Sequence, residues 1–163
     1  MEIERRFLVS GFPEEGCIRR AKVAQGYLCT DNIEARIRKT VNRDCTTYKL
    51  CFKSDGTLSR KEVEFEISEV HYEELLDLLQ EKMIEKDYRV YQLGDRRLKV
   101  CEVDPGTKGH YYYAEIEFNS EEEALVYDCI QIPNLLEEVT YDKSYNMKNY
   151  WHITRILKQP FKS

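Results

Sequence analysis

Glu2, Glu4 and Arg6 leave one face of an extended segment, aiming two carboxylates and a guanidinium the same way, because side chains on a strand alternate faces with period two. The same spacing puts Glu34, Arg36 and Arg38 on one face of 33–41, and Lys49 and Lys53 on one face of 45–53. Arg60 opens a segment that carries Glu62, Glu64 and Glu66 together, and Glu115 and Glu117 share a face of 111–118. If these faces enclose one space, its charges need partners. Cations and carboxylates can pair, but Glu-x-Glu pairs repel one another unless a further cation neutralises them. A hard divalent ion such as Mg²⁺ or Mn²⁺ does so through a few carboxylates and keeps positions for water and phosphate oxygens. Arg36 and Arg38 offer two planar forks to the same kind of oxygen. A compact polyanion with a metal uses both halves of the set.

The elements that must position these groups read as eight strands, at about 2–9, 21–29, 33–41, 45–53, 60–67, 84–92, 96–104 and 111–118. Turn signals at Asp31-Asn32, Asn42-Arg43-Asp44, Ser54-Asp55-Gly56 and Gly94-Asp95 make most neighbours antiparallel hairpins. Leu75, Leu76, Leu78, Leu79 and Met83 recur at helical spacing through 69–81, after a Ser68 cap. Ser120 and Glu123 form a capping-box pattern ahead of a second helix, and the segment after Asp142 reads as a third, with Tyr145, Tyr150 and Trp151 as packing surface. Alternation alone is satisfied by an open sheet with one wet face, or by a barrel of about eight strands whose interior holds one small ligand. In the barrel the apolar face turns outward, partly under the helices.

The 163 residues predict one domain over 1–163, and 25 Lys+Arg against 30 Asp+Glu give a net charge of −5. That sign argues against nucleic-acid binding by phosphate neutralisation. The six cysteines, Cys17, Cys29, Cys45, Cys51, Cys101 and Cys129, include no CxxC pair and match no zinc spacing. They read as reduced thiols of a cytoplasmic protein. No stretch is apolar for long enough to cross a bilayer, and a homodimer stays open as an assembly.

Glu2-Ile3-Glu4-Arg5-Arg6-Phe7-Leu8-Val9 resembles the ExExK signature of the CYTH superfamily, the triphosphate tunnel metalloenzymes, in its bacterial form. The resemblance continues through Gln25-Gly26-Tyr27-Leu28, Glu34-Ala35-Arg36-Ile37-Arg38, Phe52-Lys53-Ser54, Leu58-Ser59-Arg60, Ile84-Glu85-Lys86, Ala114-Glu115-Ile116-Glu117-Phe118 and Glu137-Glu138-Val139-Thr140-Tyr141-Asp142-Lys143. It implies an α+β fold: a closed eight-stranded antiparallel barrel, with helices outside, that binds a triphosphate with Mg²⁺ or Mn²⁺. Carried over by position, Arg36, Arg38, Lys53, Arg60, Lys86, Arg89 and Lys143 hold substrate, and Glu4, Glu62, Glu115 and Glu117 hold metal. Glu2, Glu64 and Arg6 stand at the catalytic positions.

The implied reaction is hydrolysis of inorganic triphosphate to pyrophosphate and phosphate. Class IV adenylyl cyclase, another organic triphosphatase and a noncatalytic polyphosphate-binding module are the alternatives. Two positions depart from the family pattern. Arg6 stands where the signature has Lys, and a guanidinium does not act as a general base. Lys86-Asp87-Tyr88-Arg89 replaces Lys-x-Arg, so Arg89 reaches the interior only if a bulge at Asp87 or Tyr88 restores its face. His71, His110 and His152 match no family role.

Overall fold

The computed structural model describes residues 1–162. Its strands are β1 (Glu2–Val9), β2 (Cys17–Thr30), β3 (Ile33–Asn42), β4 (Thr46–Ser54), β5 (Ser59–Arg60), β6 (Glu62–Glu66), β7 (Ile84–Leu93), β8 (Arg96–Val103), β9 (Tyr111–Glu117) and β10 (Leu135–Glu138). All pair antiparallel in the order β10-β1-β9-β8-β7-β2-β3-β4-β6, and β5 returns to pair with β1. β5 and β6 are one stave interrupted at Lys61: Ser59 and Arg60 face Ile3 and Glu2, whereas Glu62–Glu66 run along β4. Eight staves thus surround the interior. The closing seam is short, two ladder positions plus the Glu4 N–H donating to the Leu58 carbonyl at 3.0 Å.

The strand count departs from the expected eight in two places. The expected strand 60–67 divides because its first residues pair with β1 and the rest with β4. β10 is a four-residue strand that exists by pairing with Phe7–Val9 on the outer flank of β1, and four residues carry too little alternation to be read in sequence. β2 also begins at Cys17 rather than near 21.

Three helices pack against this sheet. Ser68 caps α1 (Glu69–Leu79) by accepting from the His71 N–H, and Ser120 caps α2 (Glu121–Val126) by accepting from the Glu123 N–H, both at 3.1 Å. A 3-10 turn at Lys143–Tyr145 leads into α3 (Met147–Trp151), which continues as a π-helical stretch, His152–Ile156. Among the described residues no helix is long and apolar enough to cross a membrane.

The barrel reverses the usual assignment of its two faces. Phe7, Val9, Leu98, Val100, Ala114 and Ile116 point outward and are buried there with Phe118, Ala124 and Ile132 under α2 and the chain that follows it. The even-numbered residues of β1 and their cross-strand partners point inward and carry the charge. Toward one end the inward positions turn apolar: Tyr27, Ile84, Cys101, Val103 and Tyr113 pack with Met147, Tyr150 and Trp151. The C-terminal helical segment thereby plugs the barrel.

A buried polar knot fastens that plug. Asp104, in a left-handed backbone conformation (φ 47°), takes two hydrogen bonds from Arg155, at 2.7 and 3.0 Å, and one from the Tyr150 hydroxyl at 2.5 Å. It also accepts from the Glu85 backbone N–H at 3.1 Å. A buried carboxylate with this many donors is fully compensated, and its geometry is fixed.

Gly56 sets the turn that sends β5 back to β1. It has φ 153°, and a Cβ there would lie 2.4 Å from the Ser59 carbonyl oxygen. Gly56→Ala is therefore expected to destabilise the protein by about 1–3 kcal/mol, through backbone strain at the seam. Denaturant unfolding reads the loss, with Gly11→Ala as the neutral comparison because nothing lies within 4 Å of its added Cβ.

Candidate active site

The inward faces enclose a cavity of about 390 Å³. Among the described residues every lining group comes from a barrel strand except Asn146 and Met147. Of the sequence-predicted set, Glu2, Glu4, Arg6, Arg36, Arg38, Lys53, Arg60, Glu62, Glu64, Lys86, Glu115 and Glu117 line it. Antiparallel register explains the convergence, since Glu4 faces Glu117, Arg6 faces Glu115, Glu2 faces Arg60 and Lys53 faces Glu62.

Arg89 and Lys143 do not line the cavity. The β7 ladder is regular on both sides through Lys86–Arg89, so the bulge that would turn Arg89 inward is absent. Its guanidinium instead pairs with Asp87 at 3.1 Å and lies over the Phe12 ring, 3.8 Å from the centroid. Lys143 reaches Asp55 at 2.9 Å, in the turn after β4.

Several inward groups are absent from the sequence-based set, Lys99, Tyr113, Gln25 and Asn146 among them. Lys99 and Tyr113 follow strand parity, with Cys101 and Glu115 as their inward neighbours, yet neither belongs to a motif. Gln25 is fully buried and orients Arg38 through two contacts to its amide oxygen, at 3.2 and 2.9 Å. Asn146 lies outside any strand, so no periodicity points to it.

The wall around the β1–β5 seam is a web of ion pairs. Lys53 bridges Glu2 at 3.0 Å and Glu62 at 3.2 Å, and Arg60 bridges Glu34 at 2.6 Å and Glu2 at 3.3 Å. Arg36 donates to Glu64 at 3.2 Å, but its Nε is buried with no partner. Arg6 donates to Glu115 at 2.9 Å and to the Tyr145 carbonyl at 2.6 Å, with its guanidinium over the Tyr113 ring. Lys86 donates to the Tyr113 hydroxyl at 2.6 Å, and Lys99 pairs with Glu117 at 2.5 Å.

Two carboxyl pairs stand within this web, Glu4 with Glu115 and Glu2 with Glu62, and in each pair the two groups move in opposite directions. In the first, burial opposes ionisation of Glu115 but the Arg6 guanidinium outweighs it, holding Glu115 well below the usual carboxylate range. Glu4 is moved the other way: burial first and the charge of Glu115 second raise it well above that range. In the second pair, Lys53 overcomes the burial of Glu2 and lowers it, while burial and the hydrogen bond to Glu2 raise Glu62. Glu2, Glu4 and Glu117 each offer an oxygen within 4.8 Å of the others. That all-oxygen donor set suits a hard divalent cation. Glu62 groups instead with Glu64 and Cys51.

The Lys86 ammonium is weakened by its surroundings. Burial first, and then repulsion from Arg38 and Arg36, lower its ammonium to about 7.

The chain is 38% identical over 149 residues, 90% of its length and 94% of the relative's, to an inorganic triphosphatase of Nitrosomonas europaea. Among solved structures it is similar to the crystal structure of the inorganic triphosphatase NE1496, with a TM-score of 0.63 and 31% identity over 92% of this chain and 93% of that one. It shares the fold of the PH1819 protein from Pyrococcus horikoshii OT3, with a TM-score of 0.56 and 19% identity over 77% of this chain and 82% of that one. No protein-family model matches the chain.

A divalent cation drawn to Glu2, Glu4 and Glu117 competes with protonation of Glu4, whose carboxyl is raised by burial and by Glu115. Because that carboxyl titrates above the ordinary range, it is protonated at low pH, and cation affinity should rise with pH until it ionises. Mn²⁺ titration of the purified protein between pH 5 and 8 checks this; an affinity flat across that window contradicts that competition.

Proposed function

The chain belongs to the CYTH superfamily of triphosphate tunnel metalloenzymes, and we propose that it hydrolyses inorganic triphosphate to pyrophosphate and phosphate inside the barrel. The observation that carries this reading is the composition of the cavity wall, where guanidinium and ammonium groups face a cluster of carboxylates across one enclosed space. In the ligand-free protein the two sets neutralise each other. A polyanion takes the cations, a divalent cation takes the carboxylates, and each exchange frees groups for the other.

In this reading Arg36, Arg38, Lys53, Arg60 and Lys86 hold phosphate oxygens. The Arg36 Nε, buried without a partner among the described residues, has a donor to spare for such an oxygen. Gln25 keeps the Arg38 fork in one orientation. Glu2, Glu4 and Glu117 hold Mg²⁺ or Mn²⁺, which when bound neutralises charge on the phosphate oxygens. Burial opposes ionisation of Glu64, but Arg36 and Lys49 keep it below the usual range, so it accepts a hydrogen bond from water at neutral pH. That water attacks a terminal phosphorus in line and gives a proton to Glu64 as the new P–O bond forms; the bridging P–O bond breaks, orthophosphate separates, and the basic wall receives the charge that develops on the leaving pyrophosphate. Arg6 exchanges no proton here; it holds Glu115 ionised and secures the plug. The acidic balance and the free cysteines support a cytoplasmic enzyme of a small polyanion, without nucleic acid.

Phosphate release from inorganic triphosphate with Mg²⁺ or Mn²⁺, run beside ATP and thiamine triphosphate, tests the assignment. Turnover of inorganic triphosphate supports it, cyclic AMP with pyrophosphate from ATP would assign a cyclase, and tight binding without turnover would assign a binding module. Within the hydrolase, Arg38→Ala should raise KM for triphosphate about 10- to 100-fold, the worth of charge-assisted hydrogen bonds of about 1.5–3 kcal/mol.

Lys86 adds a pH signature. In the free protein it loses its proton as pH rises through about 7, whereas bound triphosphate favours the charged form. Binding at pH 8 should therefore take up a proton, and KM should rise from pH 7 to 9. Calorimetry in buffers of different ionisation enthalpy measures the uptake, which Lys86→Met should abolish.

A further inference from the structure

Asn146 enters the cavity from outside the barrel, and its amide nitrogen has no hydrogen-bond partner among the described residues. It occupies the N-cap position of α3 with extended backbone angles, φ −66° and ψ 140°, yet its side chain makes no capping hydrogen bond. Ser68, Ser120, Asp128 and Asp142, at the same position of other helical segments, all accept from a backbone N–H. The Asn146 Nδ2 is instead buried without a hydrogen-bond partner, and the residue lines the cavity. A buried amide N–H₂ that lacks an acceptor is costly and rare in folded proteins, unless a ligand supplies the acceptor.

The backbone around it is fixed on both sides. The Asn146 N–H donates to the Lys143 carbonyl at 3.1 Å, and its own carbonyl accepts from the Asn149 and Tyr150 N–H groups, each at 3.0 Å. Immediately before it, the Tyr145 carbonyl accepts from Arg6 at 2.6 Å. Arg6 thus gives one terminal nitrogen to Glu115 and the other to this carbonyl, which fixes the orientation of its guanidinium at that end of the cavity. Beside it, the Asn146 amide carries an N–H₂ that has no partner among the described residues.

We propose that Asn146 is a substrate-binding residue, its amide donating to a phosphate oxygen of the triphosphate at the plugged end of the barrel, with Arg6 as the positioning residue that holds it there. The inference rests on the triphosphate reading above. A neutral donor suits this place, because it recognises a phosphate oxygen without repelling the neighbouring guanidinium. It also couples the plug to the substrate: the segment that closes the barrel contributes a contact to what the barrel holds.

The experiment measures KM and kcat for inorganic triphosphate in Asn146→Ala, Asn146→Ser and Asn146→Asp. Trp151, the only tryptophan of the chain and a buried part of the plug, gives an independent reading of plug position through its emission. Asn146→Ala should raise KM about 3- to 10-fold, and Asn146→Asp should raise it further by placing a carboxylate against the polyanion. kcat should fall less than KM rises, and Trp151 emission should not change. Parental KM in Asn146→Ala and Asn146→Asp overturns the proposal. So does a KM change accompanied by an altered Trp151 emission in all three variants, which makes Asn146 a structural residue. If the parent protein neither binds nor turns over triphosphate, the functional reading itself falls, a result separate from parental behaviour in the variants.

Discussion

Charge enclosed in a barrel must be neutralised by charge, and the rest of this structure depends on meeting that requirement. Glu2, Glu34, Glu62, Glu64 and Glu115 each lie within reach of at least one guanidinium or ammonium, and where two carboxyls meet, one of each pair is pushed toward its neutral form. The ion pairs also help to close the fold. β1 and β5 share only two ladder positions, but Glu2, Lys53, Arg60 and Glu34 knit β1, β3, β4 and β5 together across that seam. Buried ion pairs stabilise a fold only weakly against apolar replacements. Their concentration here is better understood as the cost of keeping a site ready for ionic ligands.

The apolar residues answer a different demand. With charge inside, the sheet has to bury its other face outward, so α2 and the segment that follows it cover Phe7, Leu98, Val100 and Ile116. On β4 and β6, where α1 packs Tyr72 against Tyr48, Phe52, Val63 and Phe65 remain exposed. At the plugged end the interior turns apolar, and the C-terminal segment packs Met147, Tyr150 and Trp151 into it. The Asp104–Arg155–Tyr150 knot then fixes this segment to the turn after β8. Arg6 connects the two regimes, since one arm of its guanidinium serves the charged cavity and the other holds the plug.

This arrangement gives the substitution of Arg for Lys at position 6 a physical meaning. A Lys ammonium is a compact point charge, whereas the planar guanidinium reaches the Glu115 carboxylate and the Tyr145 carbonyl at once. The change removes a group that could exchange a proton and adds a strut. The proton chemistry available in the cavity then lies with the carboxyl pairs and with Lys86, whose burial leaves it poised near neutrality.

The sequence by itself determined which residues share a face. Strand alternation is local and exact in its period, so Glu2 with Glu4, Arg36 with Arg38, and Glu115 with Glu117 were legible from spacing alone, as were the Ser68 and Ser120 caps. The ordered series of motifs carried the barrel and the reaction class. What spacing could not decide was pairing across strands, because register is set by ladders between residues far apart in the chain. Only the tertiary structure separated Glu2, Glu4 and Glu117 from the Glu62–Glu64 group, left Arg89 outside on a ladder without a bulge, and returned Ser59 and Arg60 to β1. It alone brought in Asn146, which no period marks, because a residue of a capping turn reaches the cavity through the docking of a whole segment and not through any local repeat.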